Sequence, residues 1–248
     1  EARIRMALTD LGPTFIKMGQ LLSTRPDLVG NLLADELKRL QNDVPADPPD
    51  VVRATLTAEL GQPIEDLFSE FDDVPVASAS IGQVHRARLH AGGDVVVKVR
   101  HAAIESIIRD DLEVLSGVAA LAEQIDEFKP FRPLATVAEL SRGLLRELDF
   151  GREERNLQQF AALFSHDSKV HIPRPFTDFC TARVLTMEWL DGVKLDAVDG
   201  VPNSAFDLEQ IVRHGAELYL EMIFTHGLYH ADPHPGNLLL LPGNVLGL

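Results

Sequence analysis

The sequence predicts an α+β fold in two lobes. Three observations predict it. Helical periodicity fills the first 43 residues, short β-branched runs between turn residues begin near Asp73, and a helix with an apolar stripe returns at 205–226. The order is helices, a small sheet interrupted by an inserted helical pair, another strand, then helix.

In residues 1–43, apolar positions recur at helical spacing in "IRMALTDL", "FIKMGQLL" and "LVGNLLADELKRL". Pro13 and the run Arg25-Pro26-Asp27 divide this stretch into shorter helices. "VPADPPD" (Val44–Asp50) predicts a proline-rich connection, and the helix after it runs to about Leu60, where Gly61 closes it. "VPVASASIGQVHRARL" and "VVVKVRH" flank "HAGGD", which predicts an antiparallel hairpin turning on two glycines. Residues 102–127 and 134–163 predict helices. "KVHIPRPF" and "ARVLTMEWL" predict strands, and 205–226 a helix burying Ile211, Leu218 and Met222. The expected divisions are a helical extension over 1–60, a sheet with inserted helices over 61–190, and the start of a second lobe over 191–248.

Composition sets bounds. The chain has 248 residues, 45% hydrophobic and 25% charged, which is ample for a core. Asp and Glu number 38 against 23 Lys and Arg, a formal charge of −15. Such a surface repels nucleic acid and anionic lipid unless a local basic patch intervenes. No window approaches the roughly 20 apolar residues of a spanning helix, so membrane contact by this stretch is expected to be peripheral. The lone Cys180 excludes an internal disulfide, fits a reducing compartment, and reads as a small buried apolar residue rather than a nucleophile.

"HADPHPGN" (His230–Asn237) admits three readings. His230, Asp232 and His234 alternate, as in a metal cluster. The prolines equally suit a plain loop. The spacing also matches the phosphotransfer loop H-x-D-x-x-x-x-N, in which Asp232 would orient the acceptor hydroxyl and Asn237 would hold Mg²⁺. The third reading needs partners upstream. A kinase phosphate loop reads G-x-G-x-x-G-x-V, and those positions hold Ala77, Ala79, Gly82 and Val84, with Ser78 and Ser80 between. Two alanines restrict close approach to phosphate, so the loop either holds nucleotide differently or is a tight strand connection.

One strand later stands Lys98 in "VVVKV". It is either an edge-strand lysine facing solvent or a buried cation with a partner. "RELDFGREERN" offers partners. Glu147, Asp149, Glu153 and Glu154 fall in one predicted helical stretch, with Asp149 and Glu153 on a shared face. A solvated acidic face is the plain alternative. "TMEWLDG" (Thr186–Gly192) is similar to a nucleotide hinge, with Met187 at the pocket's rear and Glu188 and Leu190 supplying backbone contacts. Lys17 and Gln20 share one face of an otherwise apolar helix and need partners too, for which Glu147 and Asp149 are candidates.

Together these residues resemble the UbiB-type atypical kinase-like family of coenzyme Q biosynthesis. The resemblance rests on K-x-G-Q at Lys17-Met18-Gly19-Gln20, the alanine-rich "ASASIGQVH", E-x-D at Glu147-Leu148-Asp149, and "HADPHPGN". It implies a protein-kinase-like two-lobe fold whose N-terminal extension lays the K-x-G-Q motif across the site. It also implies ATP or ADP with Mg²⁺, Lys98 on the phosphates, Glu153 orienting Lys98, and a lipid or quinone-precursor small molecule as acceptor. Peripheral attachment to the cytoplasmic face of a membrane, or residence in the cytoplasm or, in a eukaryote, the mitochondrion, is implied as well. A D-F-G aspartate is expected just past Leu248, so the second lobe is expected to be truncated here. Two other functions stay open: a small-molecule phosphotransferase of the aminoglycoside or choline kinase kind, and a nucleotide-gated scaffold without catalysis.

Overall fold

The computed structural model describes residues 1–40, 44–195, 197, 206–229 and 237–248, and for residue 28 the backbone alone. Four helices open the chain: α1 (Ala2–Leu11), α2 (Pro13–Ser23), α3 (Pro26–Val29) and α4 (Asn31–Leu37). Pro13 and Pro26 each stand at a helix start, where the ring fixes φ and no N–H is needed. Leu8, Ile16, Leu37 and Leu40 form a small core among these helices. Gly19 admits them, because a Cβ there would stand 2.3 Å from Leu40 Cδ1.

After the proline-rich connection come α5 (Pro49–Leu60) and α6 (Ile64–Leu67). Gly61 ends α5 at φ +73°, its N–H donating to Thr57 O at 2.9 Å. The first sheet follows: β1 (Phe68–Phe71), β2 (Ala77–Ser78), β3 (Gly82–Leu89) and β4 (Asp94–Arg100), with β6 (Val184–Glu188) joining from far downstream. Its order is β1-β3-β4-β6, with β2 paired to β3, and every pair is antiparallel. The β3–β4 hairpin turns on Gly92 and Gly93, at φ +87° and +103°. One face of the sheet buries Val95, Val97 and Val99 against Val52 and Leu56 of α5. The other packs Ile81 and Leu185 against α7 (Ile104–Ala122), α8 (Pro133–Glu147) and α9 (Phe150–Leu163).

The expected single helix over 134–163 is two. Asp149 has extended backbone, φ −98° and ψ 92°, and its carboxylate accepts the N–H of Gly151 at 3.0 Å. Such an N-cap starts a new helix. Glu147 therefore closes α8 and Asp149 caps α9, so Asp149 does not share a helical face with Glu153 as expected.

The second sheet holds β5 (Val170–His171), β7 (Val193–Lys194), β8 (Leu239–Leu241) and β9 (Val245–Gly247) in the order β5-β9-β8-β7. Pro173 and Pro175 keep β5 to two residues. The helix α10 (Leu208–Glu221) runs into a π turn over Met222–His226 and buries Ile211, Leu218 and Met222 as expected. Leu240 and Leu246 pack on Ile211. Among the described residues no helix is long and apolar enough to cross a membrane.

Candidate active site

Lys98 lies on β4, which is hydrogen-bonded on both sides; Lys98 sits opposite Val84 of β3 and Leu185 of β6. It is therefore no edge-strand lysine. Its Nζ donates to Glu153 Oε2 at 2.6 Å and stands 4.6 Å from the centroid of the Phe150 ring. The pair is partly open, with side chains 29% and 41% exposed. The Asp149 cap sets the register of α9, and that register aims Glu153 at the sheet.

The stretch Ala77–Val84 forms a tight hairpin. Ala77 pairs with Val84 and Ser78 with Gln83, and the Ala79 N–H donates to Gly82 O at 2.9 Å. Ser80 and Ile81 are buried at its turn, while Ser78 Oγ is buried with no hydrogen-bond partner among the described residues. Gly82 has a reason of its own. A Cβ there would stand 2.5 Å from Val99 O, so the neighbouring strand alone requires glycine at this position.

The K-x-G-Q helix α2 is tied to the same region. Lys17 Nζ meets Glu147 Oε2 at 2.8 Å. Gln20 Nε2 reaches Leu40 O at 3.4 Å, and the buried Thr14 hydroxyl donates to Asp111 on α7. Asp149, weighed as a partner for Lys17 or Gln20, is engaged instead by Gly151 and, at 3.5 Å, by Arg155.

A cavity of about 450 Å³ lies between the hairpin, Lys17, Lys98 and the α8–α9 junction. It is lined by Ala77, Ala79, Ser80, Gly82 and Val84 and by the carboxylates Glu147, Asp149 and Glu153. A second cavity, about 660 Å³, shares Glu147, Glu153 and Asn156 with it and adds Met187 and Asn237. The two form one cleft from the alanine-rich hairpin to the start of β8.

The hinge residues divide. Met187 lines the cleft. The Glu188 N–H donates to Arg174 O at 2.9 Å, and its carboxylate accepts from His171 Nε2 at 2.9 Å. Leu190 packs beside Gly247. His230, Asp232 and His234 lie outside the described residues. Phe150, Arg146, Arg152 and Asn156 also line the cleft. Sequence reading passed over them, although all four fall within or beside the acidic "RELDFGREERN". Burial pushes the Cys180 thiol up to about 11, and its Sγ donates to Phe176 O, which suits a packing residue.

Comparisons with known proteins identify the family. Residues 39–247 match the ABC1 atypical kinase-like domain. A Pseudomonas paraeruginosa protein named "Probable protein kinase UbiB" is 38% identical over 240 residues, covering 96% of this chain and 45% of that protein. The Arabidopsis thaliana "Protein ACTIVITY OF BC1 COMPLEX KINASE 7, chloroplastic" is 38% identical over 237 residues, 96% of this chain and 34% of that protein. This chain thus spans less than half the length of these two relatives. The solved complex of Rv3197 with erythromycin from Mycobacterium tuberculosis superposes with a TM-score of 0.70 at 31% identity, over 82% of this chain and 51% of that one. A two-lobed α+β fold, a strand lysine paired to a helix glutamate, and a family match over most of the sequence lead to one conclusion: the chain belongs to the ABC1 (UbiB-type) family of atypical kinase-like proteins.

Proposed function

We infer that this chain carries the nucleotide site of an atypical kinase or ATPase that supports ubiquinone or related isoprenoid-quinone biosynthesis, and that its acceptor is a lipid or small molecule rather than a protein. The observation that carries this reading is the Lys98–Glu153 pair at 2.6 Å, facing the alanine-rich hairpin across the 450 Å³ cavity. Glu153 holds the ammonium in place, and Lys98 bonds the phosphates of ATP or ADP by charge-assisted hydrogen bonds. Met187 walls the adenine side. The α2 helix is held at the cleft by Lys17–Glu147, and the family resemblance implies that it lies across the side where a protein substrate would enter, which favours a small acceptor. That the Rv3197 relative was solved with erythromycin is in keeping with a small-molecule ligand.

The donor atoms suit Mg²⁺. Asn237, Glu147 and Glu153 bring hard oxygens to one cavity. Among the described residues no cluster of three or more His, Cys, Asp or Glu forms a complete cage. Mg²⁺ characteristically fills such a partial shell with water and phosphate oxygens. When bound it would neutralise charge on the phosphoryl oxygens. Asp232 is assigned, from its spacing, to orient the acceptor hydroxyl. Peripheral membrane attachment fits a lipid acceptor.

Release of phosphate from ATP, measured for the parent and for Asp232→Asn, tests the reading. Turnover abolished in the variant supports an enzyme. Tight ADP binding with no turnover in the parent supports the nucleotide-gated scaffold. One observation favours that second reading: the Ala79 N–H is spent on Gly82 O and does not face outward to cradle a phosphate.

A further inference from the structure

The linker that leaves the N-terminal helices does not hang loose. Asp47 lies against the sheet as a hub. Its backbone N–H donates to Gln83 Oε1 at 2.6 Å, and its carboxylate accepts the Ala102 N–H at 3.0 Å. The same carboxylate oxygen stands 3.2 Å from His101 Nδ1 without a directed hydrogen bond to it, so its hold on this segment runs through the Ala102 N–H. His101 is 6% exposed. Its Nε2 donates to the carbonyl of Ala79 at 3.0 Å; the donor role follows because a carbonyl oxygen only accepts. Its backbone N–H donates to Ile81 O at 3.0 Å. One residue therefore grips the alanine-rich loop twice.

The other arm of the hub is equally buried. Gln83 is 1% exposed and donates through Nε2 to His85 Nε2 at 2.8 Å. His85 in turn donates through Nδ1 to Asp72 O at 2.8 Å. Each donor in this series meets an acceptor, so the linker is anchored to the strand that follows the loop.

We propose that His101 is a positioning residue that couples the N-terminal linker to the alanine-rich loop. The Ala79 N–H is fixed by Gly82 and its carbonyl by His101, so the depth of the loop over the phosphate site is set by this ring. Asp47 holds the backbone beside the ring from the linker side, through the Ala102 N–H. Any movement of the helical extension that draws Asp47 away releases the loop. The proposal rests on the nucleotide role of that loop, given above.

Three variants of the full-length protein test it: His101→Ala, His101→Gln and Asp47→Ala. Two quantities are read, amide hydrogen exchange at residues 79–82 without nucleotide, and ADP affinity by calorimetry. His101→Ala is expected to speed loop exchange severalfold and to weaken ADP binding about two- to tenfold, the range set by one hydrogen bond. Glutamine keeps an N–H donor for Ala79, so His101→Gln is expected to stay within about twofold of the parent. Asp47→Ala removes the acceptor of the Ala102 N–H and is expected to raise loop exchange in the same direction as His101→Ala. Unchanged loop exchange in His101→Ala overturns the tether. Faster exchange with unchanged ADP affinity overturns the positioning role. Unchanged exchange in Asp47→Ala overturns the coupling to the linker. A melting temperature checks that each variant folds; if His101→Ala unfolds, failure of the folded glutamine variant to match the parent overturns the proposal. If the parent binds no ADP, the nucleotide reading fails while the exchange arm still decides the tether.

Discussion

Arg100 Nη1 donates to the carbonyl of Leu148 at 2.8 Å, from the end of β4 to the junction between α8 and α9. Leu148 is the middle residue of the E-x-D motif, so one buried guanidinium holds Glu147 and Asp149 in place against the sheet. Its Nη2 pairs with Glu105 at 2.7 Å, and burial pulls its pKa below the ordinary arginine value. Replacing it with methionine keeps the volume but leaves the Leu148 carbonyl buried without a donor. That change is expected to cost about 1–3 kcal/mol in urea unfolding. A loss below about 0.5 kcal/mol would mean that the junction holds by packing alone.

Lys98→Ala is expected to weaken ADP affinity about tenfold or more, because a charge-assisted contact contributes roughly 1.5–3 kcal/mol. Glu153→Gln should weaken it less, since it removes the partner that orients the ammonium and leaves the ammonium itself. Calorimetry on the two variants settles the order. Equal affinity in Lys98→Ala and the parent would remove Lys98 from the phosphate site.

Two glycines of the family motifs are small for different reasons. At Gly82 an added Cβ meets the backbone oxygen of Val99 at 2.5 Å, and at Gly19 it meets the tip of the Leu40 side chain at 2.3 Å. A strand backbone in a paired sheet cannot give way as a leucine methyl can. Gly82→Ala is therefore expected to lower stability by about 1–3 kcal/mol, and Gly19→Ala by less. Thermal melting compares them directly, and the reverse ranking would show that the N-terminal helices are packed more rigidly than the sheet.

Burial pulls the His85 imidazole below its ordinary 6.5. The folded chain then binds this proton less readily than the unfolded chain does. The stability His85 protects is whole above pH 6.5, falls as pH drops below 6.5, and levels off beneath the depressed folded value. Protonation would also place an N–H on Nε2 facing the Gln83 amide donor. Denaturant midpoints between pH 7.5 and 5 should show the decline, and His85→Asn should flatten it. A parent profile flat across that window would show that the imidazole is not held neutral.

Much of the element list was legible in local pattern. Over the described residues 1–40 the helices, the prolines that divide them, the Gly92-Gly93 turn and the stripe of Ile211, Leu218 and Met222 all stand where the pattern placed them. The break inside 134–163 was hidden, because Leu140, Leu144 and Leu148 keep a helical spacing up to it and Phe150 and Leu157 resume one just after it. Only the Asp149 cap, a hydrogen bond two residues long, reveals it.

The sequence by itself determined which residue types stand in which order: a lysine in a β-branched run, glutamates downstream, an alanine-rich loop before both. These are local matters, because side-chain period and turn chemistry act within a few residues. The tertiary structure alone decided the partners. It set β6 beside β4 and so moved Lys98 from a possible edge to the interior of the sheet. It chose Glu153 for Lys98 and Glu147 for Lys17, and gave Asp149 to its own helix. It also brought Asp47 to His101 and His101 to Ala79. Such pairs join residues far apart in the chain. The hydrophobic pattern says that a face is buried but not against what, and only the packing of whole elements supplies that answer.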